Sequence, residues 1–588
     1  MSAPASRGTY PAVVAVLWTP RALSLLVAAL GGWATDAAFP MRGWWPLAFV
    51  GVAALVWASG RDSARWNALV AWVWGLGFFL PHLWWANYAV GVIPWVALSV
   101  AESGILAGGV AAFTWARRAR WLRHRTWLHA PVFATMWVVT EQLRQVWPFG
   151  GFPWGRLGFS QGDSPLLSLA AIAGAPLVSF AVVLIGHYLA DAVRLAAPGP
   201  RRRTARPERP HWRQPVYRVV AGGLVLGVGA VLPLPSTQAE DGVLHLGAVQ
   251  GNVSEPGLGA FANAREVLHN HAHGTHELAE EVGQGNLDLV VWPENATDIN
   301  PRVDAEAAEE IDTAAQAIGA PILLGTDRYD DEARYNEMIL WQPGVGSTFA
   351  YAKQIPAAFA EYIPMREVAR LFSPAVDMVR TDMAAGEEVG VVPVPVDRTG
   401  QTVDVGTVIC FEVAYDALIR SAVQDGAELL VVPTNNASFG YTSESVQQLA
   451  MSRLRAVEHG RTTVQISTVG VSGVIAPDGT VLQETGLFTH EHFTADIPLR
   501  STLTIADRLG DWPMIAFTAL AVLALALGVI TGRRERPRPA GAPAAGAPAT
   551  GTAPAPQSPV PAAGSSRSLA PAGPEAGSGS QEHVGAAP

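Results

Sequence analysis

The stretch Val403-Asp-Val-Gly-Thr-Val-Ile-Cys-Phe-Glu412 decides how this chain is read. Branched apolar residues alternate and then run together as far as Ile409, which is the pattern of a buried strand. A helical pattern follows from Ala414 to Gln424 and stops at Gly426. Cys410 therefore falls at a strand-to-helix junction. Two other segments have the same grammar. Val290-Val-Trp-Pro-Glu-Asn295 leaves Glu294 just past a buried strand, and Tyr351-Ala-Lys-Gln-Ile-Pro356 leaves Lys353 at the end of another. Cys410 is the only cysteine, and Lys353 is the only lysine among 40 basic residues. Arginine spreads its charge over a fork, whereas lysine is a compact charge whose pKa responds to burial. A chain that otherwise uses arginine marks Lys353 for chemistry, although composition alone leaves accident open.

Outward from these segments, the stretch from 234 to 512 repeats short apolar runs that end in turn residues. They include Val243–Val249, Leu287–Trp292, Pro321–Gly325, Met338–Trp341 and Leu429–Pro433. Helical patterns at Ala305–Ile318, Ala414–Gln424 and Val446–His459 lie between them, the last two stopped by Gly426 and Gly460. This is an α/β pattern with largely buried strands. The runs Leu289-Val-Val-Trp-Pro-Glu-Asn295 and Leu430-Val-Val-Pro-Thr-Asn-Asn436 are alike, which hints at two similar halves. A lone cysteine excludes an internal disulfide, so packing has to supply stability.

The first 233 residues have another texture. The chain is 49% apolar and 15% charged, against about 25% charged for an average soluble protein. Runs near 22–39, 43–59, 66–85, 90–116, 127–146, 165–195, 216–233 and 513–531 read as long enough to span a bilayer, which requires roughly 20 residues. Arginines collect in alternate connections: Arg61 and Arg65; Arg117, Arg118, Arg120, Arg123 and Arg125; Arg194, Arg201, Arg202, Arg203, Arg206 and Arg209; and Arg533, Arg534 and Arg536. By the positive-inside bias these connections and both termini are cytoplasmic, and 234–512 is outside. Trp44, Trp45, Trp84, Trp85, Trp147 and Trp154 fall on the opposite side, as in an interfacial aromatic belt. The segment 532–588 is dominated by Pro, Ala and Gly and is expected to be disordered. The expected domains are thus 1–233 with seven spans, 234–512, an eighth span at 513–531, and the tail.

The chemistry follows from the three strand ends. A helix N-terminus favours a thiolate at Cys410. Glu294 can take the thiol proton, and Lys353 can hold the oxyanion formed when sulfur attacks a carbonyl. Such a set makes and breaks acyl-enzymes. Four histidines, His269, His271, His273 and His276, suggest a metal cluster, but no carboxylate completes a ligand set, so a solvated polar face is expected.

Trp-Pro-Glu294, Tyr-Ala-Lys353 and Cys410-Phe-Glu resemble the Glu-Lys-Cys triad of the nitrilase, or carbon–nitrogen hydrolase, superfamily. Arg334-Tyr-Asn-Glu, Phe359-Ala-Glu-Tyr-Ile-Pro, Val432-Pro-Thr-Asn-Asn-Ala-Ser-Phe-Gly, Met451-Ser-Arg-Leu-Arg-Ala-Val-Glu-His-Gly-Arg and Phe149-Gly-Gly-Phe-Pro-Trp-Gly-Arg-Leu-Gly resemble the apolipoprotein N-acyltransferase family within it. The resemblance spans about 20–531. It implies a polytopic helical membrane domain of about eight spans with an extracytoplasmic nitrilase-like α-β-β-α sandwich, in a bacterial plasma membrane. It further implies catalysis by Glu294, Lys353 and Cys410, supported by Glu361, Glu412 and the Phe411 N–H. Asn336, Tyr415, Asn435, Asn436 and Phe439 are implied in substrate binding. The implied donor is a phospholipid and the implied acceptor a diacylglyceryl apolipoprotein. Neither cofactor, metal nor nucleic acid is implied, and a monomer is expected. The sequence departs from many members, which carry Asn-Asp-x-Trp-Phe-Gly at 435–440 and tyrosine at 411. That bears on pocket shape more than on the triad. A membrane-tethered amidase and a degenerate scaffold are the competing readings. The many apolar spans argue against the first and the complete triad against the second.

Overall fold

The computed structural model describes residues 20–196, 213–254, 265–331 and 333–532. The arginines at 201–209 and beyond 532, and the expected tail, lie outside the described residues. Two six-stranded sheets form the second half of the chain. The first has the order β12-β1-β2-β3-β4-β5, and the second β11-β10-β9-β8-β7-β6. Their strands are β1 Val243–Gln250, β2 Leu289–Val291, β3 Ile322–Tyr329, β4 Arg334–Gln342, β5 Gly346–Ala352, β6 Val391–Val396, β7 Gln401–Thr407, β8 Leu429–Thr434, β9 Thr463–Ser467, β10 Gly473–Ile475, β11 Val481–Glu484 and β12 Glu491–Pro498.

The two look-alike runs occupy matching places. β2 lies between parallel β1 and β3, and β8 between parallel β7 and β9. A central parallel strand is covered on both faces, which is why each run is continuously apolar rather than alternating. Leu246, Val291, Leu323, Val405, Val431 and Ile466 interlock between the sheets. On the outer face of the first sheet pack helices at Glu266–Val282 and Ala305–Ile318. The second sheet is covered by helices at Asp416–Gln424 and Glu444–His459. The result is a helix-sheet-sheet-helix sandwich. Numbered from the N-terminus, the helices are α1 Pro20–Asp36, α2 Leu47–Ala58, α3 Ala64–His82, α4 Trp84–Val90, α5 Val92–Ala116, α6 His129–Val146, α7 Ala170–Ala196, α8 Arg213–Val231, α9 Glu266–Val282, α10 Ala305–Ile318, α11 Arg366–Arg370, α12 Asp416–Gln424, α13 Glu444–His459, α14 Ile505–Leu509 and α15 Trp512–Thr531.

Helix occupies each of the eight apolar stretches, but the stretches are unequal. Among the described residues, Val92–Ala116, Pro165–Ala196, Arg213–Val231 and Trp512–Thr531 are long and apolar enough to cross a membrane. α3 and α4 make a fifth when taken together, bent by 57° at Leu83 just after Pro81. α2 has only 12 residues. α7 is kinked at Ala173 and Gly174 ahead of Pro176, a residue that cannot continue the hydrogen-bond ladder.

The helical region and the sandwich share one apolar core. Val413, Tyr415, Ile419, Met451 and Leu454 pack in the same cluster as Trp74, Trp137 and Val178. A buried ion pair pins the two together. Arg156, in the connection after α6, meets Asp416 Oδ2 at 2.6 Å, and Arg455 of α13 meets Asp416 Oδ1 at 2.8 Å. Burial alone would raise the Asp416 carboxyl, but the two guanidinium groups hold it well below the usual carboxylate range. Trp154 donates to Gln447 Oε1 at 2.7 Å beside this joint. Replacing Asp416 with Ala leaves buried Arg156 with only the longer contacts to Gln145 and Glu141, and Arg455 with Glu458. We expect it to cost about 3–5 kcal/mol, as a large drop in the thermal midpoint of the detergent-solubilised protein, with Arg156→Ala in the same range.

Candidate active site

The strand ends on one edge of the sandwich deliver three groups to one place. Glu294 follows β2 on a turn whose next residue, Asn295, has φ +49°. Gly325 of β3 lies against that turn: a Cβ there would come within 2.7 Å of Glu294 Cα. A side chain at 325 would push the carboxylate off its mark. Lys353 follows β5, and Cys410 follows β7. Cys410 itself has φ +53°, a left-handed conformation that costs a non-glycine residue energy and clusters at functional turns. Cys410–Ala414 is a short 3-10 turn before α12 begins at Asp416.

Lys353 is almost fully buried, at 1% exposure. Its Nζ donates to Glu361 Oε1 at 2.6 Å and to Glu294 Oε1 at 3.2 Å. Burial would pull the ammonium pKa down, but the carboxylates of Glu294 and Glu361 outweigh it and hold the group firmly charged. Glu294 is itself fully engaged. Asn336 Nδ2 donates to its Oε1 at 2.6 Å, and the backbone N–H of Asn435 to its Oε2 at 2.8 Å. Cys410 is half-buried, with Thr434 Oγ1 3.2 Å from Sγ. Burial, then the Glu294 charge, push the thiol pKa up, and Lys353 only partly opposes them. A helix N-terminus at Cys410 would by itself favour a thiolate. The resting state is instead a thiol beside a carboxylate, because burial and like charge exceed what one 3-10 turn supplies.

The other carboxylates divide the work. Glu361 grips Lys353 and, through Oε2, the Ala357 N–H at 2.6 Å. Glu412 does not touch the lysine. It accepts from the N–H groups of Gln354 (2.6 Å), Ile355 (3.0 Å) and Ile409 (2.7 Å), and from Tyr351 Oη (3.0 Å). It ties the segment after Lys353 to the cysteine turn.

Of the residues implied in binding substrate, Asn336 spends its amide on Glu294. Asn435 Nδ2 reaches Asn295 Oδ1 at 3.4 Å. Asn436 is buried and donates to Glu444 (2.6 Å) and Gln448 (3.0 Å). Tyr415 Oη donates to the carbonyls of Gly150 and Gly151, at 3.2 Å each. Phe439 meets Trp85 edge-on at 5.1 Å. Phe411 stacks on Phe152 and Trp154, with ring centroids 5.5 and 6.0 Å away. These contacts correct the reading of two tryptophans as membrane anchors. Trp154 and Trp85 are buried and wall the site, whereas Trp44, Trp84 and Trp147 are exposed. Periodicity could not have found Trp154, Arg156 or Thr434. Their only signals were the crowded Phe152-Pro-Trp-Gly-Arg156 run and the polar residue that ends β8.

The histidine-rich stretch also departs from expectation. His271 is buried beside Trp292, donates Nδ1–H to the Val267 carbonyl at 2.7 Å, and is pushed down to about 4 by burial. It is a neutral core residue rather than part of a solvated face.

Two sheets with a glutamate, a lysine and a cysteine converging on their strand ends define a domain of the carbon–nitrogen hydrolase class. The carbon–nitrogen hydrolase family model matches residues 247–506, and the model of the apolipoprotein N-acyltransferase N-terminal domain matches residues 31–188. An apolipoprotein N-acyltransferase of Mycolicibacterium smegmatis is 36% identical over 88% of this chain and 87% of its own. That of Ralstonia nicotianae is 31% identical over 85% and 92%. Among solved structures, an amidase from Nesterenkonia sp. aligns at 18% identity and a TM-score of 0.34, covering 47% of this chain and 97% of that one. The chain belongs to the apolipoprotein N-acyltransferase family.

Glu444 yields a test of the site's electrostatics. Burial, reinforced by Glu294, lifts its carboxyl to about 8, while Asn436 partly opposes the rise. In the unfolded chain it titrates near ~4.3, so the folded state holds an extra proton between these values. The stability this proton brings is complete below the unfolded pKa and is lost as pH rises through 8. Glu444→Gln keeps a neutral group there. The variant's thermal midpoint should fall less than the parent's between about pH 6 and about pH 9.

Proposed function

We propose that this protein transfers an acyl chain from a membrane phospholipid, through a thioester on Cys410, to the N-terminal amine of a diacylglyceryl-cysteine in an apolipoprotein. The observation that carries this reading is the buried Lys353 ammonium held between Glu294 and Glu361 beside the lone thiol, under an aromatic wall lent by the apolar helical region. Membership of the family and the relatives' names support it.

In the first half-reaction Cys410 Sγ attacks the ester carbonyl while Glu294 takes the thiol proton. A high thiol pKa makes this base necessary, since little thiolate exists beforehand. Lys353 Nζ neutralises the oxyanion of the tetrahedral intermediate. The carbon–oxygen ester bond breaks, Glu294 returns the proton to the departing alkoxide, and a lysophospholipid leaves. In the second half the amine attacks the thioester, Glu294 takes an amine proton, and the carbon–sulfur bond breaks. The proton goes back to Sγ, leaving an amide on the lipoprotein. Glu361 and Glu412 position: one holds the lysine, the other the backbone around it. The Phe411 N–H adds an oxyanion donor, and Asn336, Tyr415, Asn435, Asn436 and Phe439 shape the pocket.

Both substrates are lipids, which suits a sandwich whose core runs on into apolar helices. We assign eight spans, with 234–512 on the extracytoplasmic face and both termini inside, on the strength of the arginine-rich connections.

Cys410→Ser should abolish the third acyl chain on a lipoprotein N-terminal peptide, read by mass spectrometry in a strain with no second such enzyme. Lys353→Arg should slow transfer at least ~10²-fold, because a guanidinium fork does not fit the point-charge position between two carboxylates. Persistence of the third chain in the Cys410→Ser strain would overturn the reading. Topology is tested separately. Reporters fused after residue 532 should be active only in the cytoplasm, and reporters inserted near residue 399 only outside.

A further inference from the structure

A second cluster of ligating side chains stands apart from the triad. His490 immediately precedes β12 and His492 is its second residue, and residues two apart on an extended chain point to one side. That side faces α9, where His273, Glu277 and Glu281 follow one another at helical i, i+4 spacing. His490 Nε2 lies 2.8 Å from Glu277 Oε2, and His492 Nδ1 lies 3.8 Å from the same oxygen. One ligand atom from each of the three residues falls within 4.8 Å of the others.

The remaining ring nitrogens are already committed. His490 Nδ1 lies 3.1 Å from the Gly251 carbonyl, and His492 Nε2 lies 3.2 Å from Glu281 Oε2. A carbonyl or carboxylate on the far nitrogen fixes the tautomer of a metal-bound imidazole and raises its basicity. His490 Nε2 donates a hydrogen bond to Glu277 Oε2, a contact that a cation would replace, whereas His492 Nδ1 turns its lone pair toward the same carboxylate. His492 Nδ1 is shielded from solvent and has no hydrogen-bond partner among the described residues. A proton there would lack an acceptor within hydrogen-bond distance, whereas a cation in that position would gain three ligands. The four-histidine stretch thus failed to reveal a ligand set because its partners come from a strand more than 200 residues away.

We propose that Glu277, His490 and His492 bind one divalent transition cation of the zinc class, clamping the start of β12 to α9. Two imidazoles and one carboxylate suit zinc-like ions, while magnesium and calcium favour all-oxygen sites. His273, whose Nε2 lies 3.4 Å from Glu277 Oε1, or a water completes the tetrahedron.

The test uses the full-length, tag-free protein in detergent, stripped with EDTA and titrated with Co²⁺. One equivalent should bind with the visible bands of a tetrahedral nitrogen–oxygen site. Zn²⁺ should displace it and excess Mg²⁺ should not. The His490→Gln/His492→Gln double variant should lose the bands while keeping the parent's thermal midpoint in EDTA. Glu281→Gln, which removes only the carboxylate behind His492, should bind at least about tenfold more weakly. Absence of stoichiometric Co²⁺ binding, competition by Mg²⁺, or unchanged affinity in Glu281→Gln or the double variant would each overturn the proposal.

Discussion

The buried ammonium of Lys353 is the constraint around which the candidate site is arranged. An ammonium cannot leave water unless opposite charge and hydrogen bonds replace its hydration. Glu294 and Glu361 supply both, so the ends of β2 and β5 and the segment beyond Lys353 must converge. Glu294 then needs its own fixed partners, and Asn336 from β4 and the Asn435 N–H after β8 provide them. One buried charge thus couples four strand ends from both sheets. It also explains why Gly325 must be small and why Glu412 braces the backbone between Lys353 and Cys410.

A second buried charge cluster does for the whole molecule what Lys353 does for the site. Asp416 sits at the first turn of α12, directly after the cysteine turn, and is held by Arg156 and Arg455. Arg156 belongs to the same connection as Phe152 and Trp154, which stack on Phe411. The helical region therefore grips the sandwich within a few residues of Cys410. Any movement of that connection would reach the thiol through Phe411 and Asp416. The site is built jointly by two regions that look independent in composition.

Much of this was legible because the relevant signals are local. Continuous apolar runs marked the central strands, and α10 follows its periodicity from Ala305 to Ile318. Glu294, Lys353 and Cys410 each lie just past a run, so their positions at strand ends could be read without coordinates. The likeness of the runs around Glu294 and Asn435 reflected their matching places between parallel neighbours. Signals that depend on distant partners were lost. Trp154 and Trp85 looked like any interfacial tryptophan, because nothing nearby in sequence reveals that Phe411 and Phe439 cover them. His271 looked exposed among polar neighbours, but its face of α9 is turned onto Trp292.

The sequence by itself determined the kinds of segment, the order of the strands along the chain, and the residue types able to run thiol chemistry. These follow from periodicity and from the intrinsic properties of cysteine, lysine and glutamate. The tertiary structure decided the protonation of the thiol, the pairing of Asp416 with an arginine 260 residues away, and the meeting of Glu277 with His490 and His492. The reason is physical: pKa values, buried ion pairs and ligand sets depend on dielectric and on distance through space. Neither quantity is written in the spacing of residues along a chain.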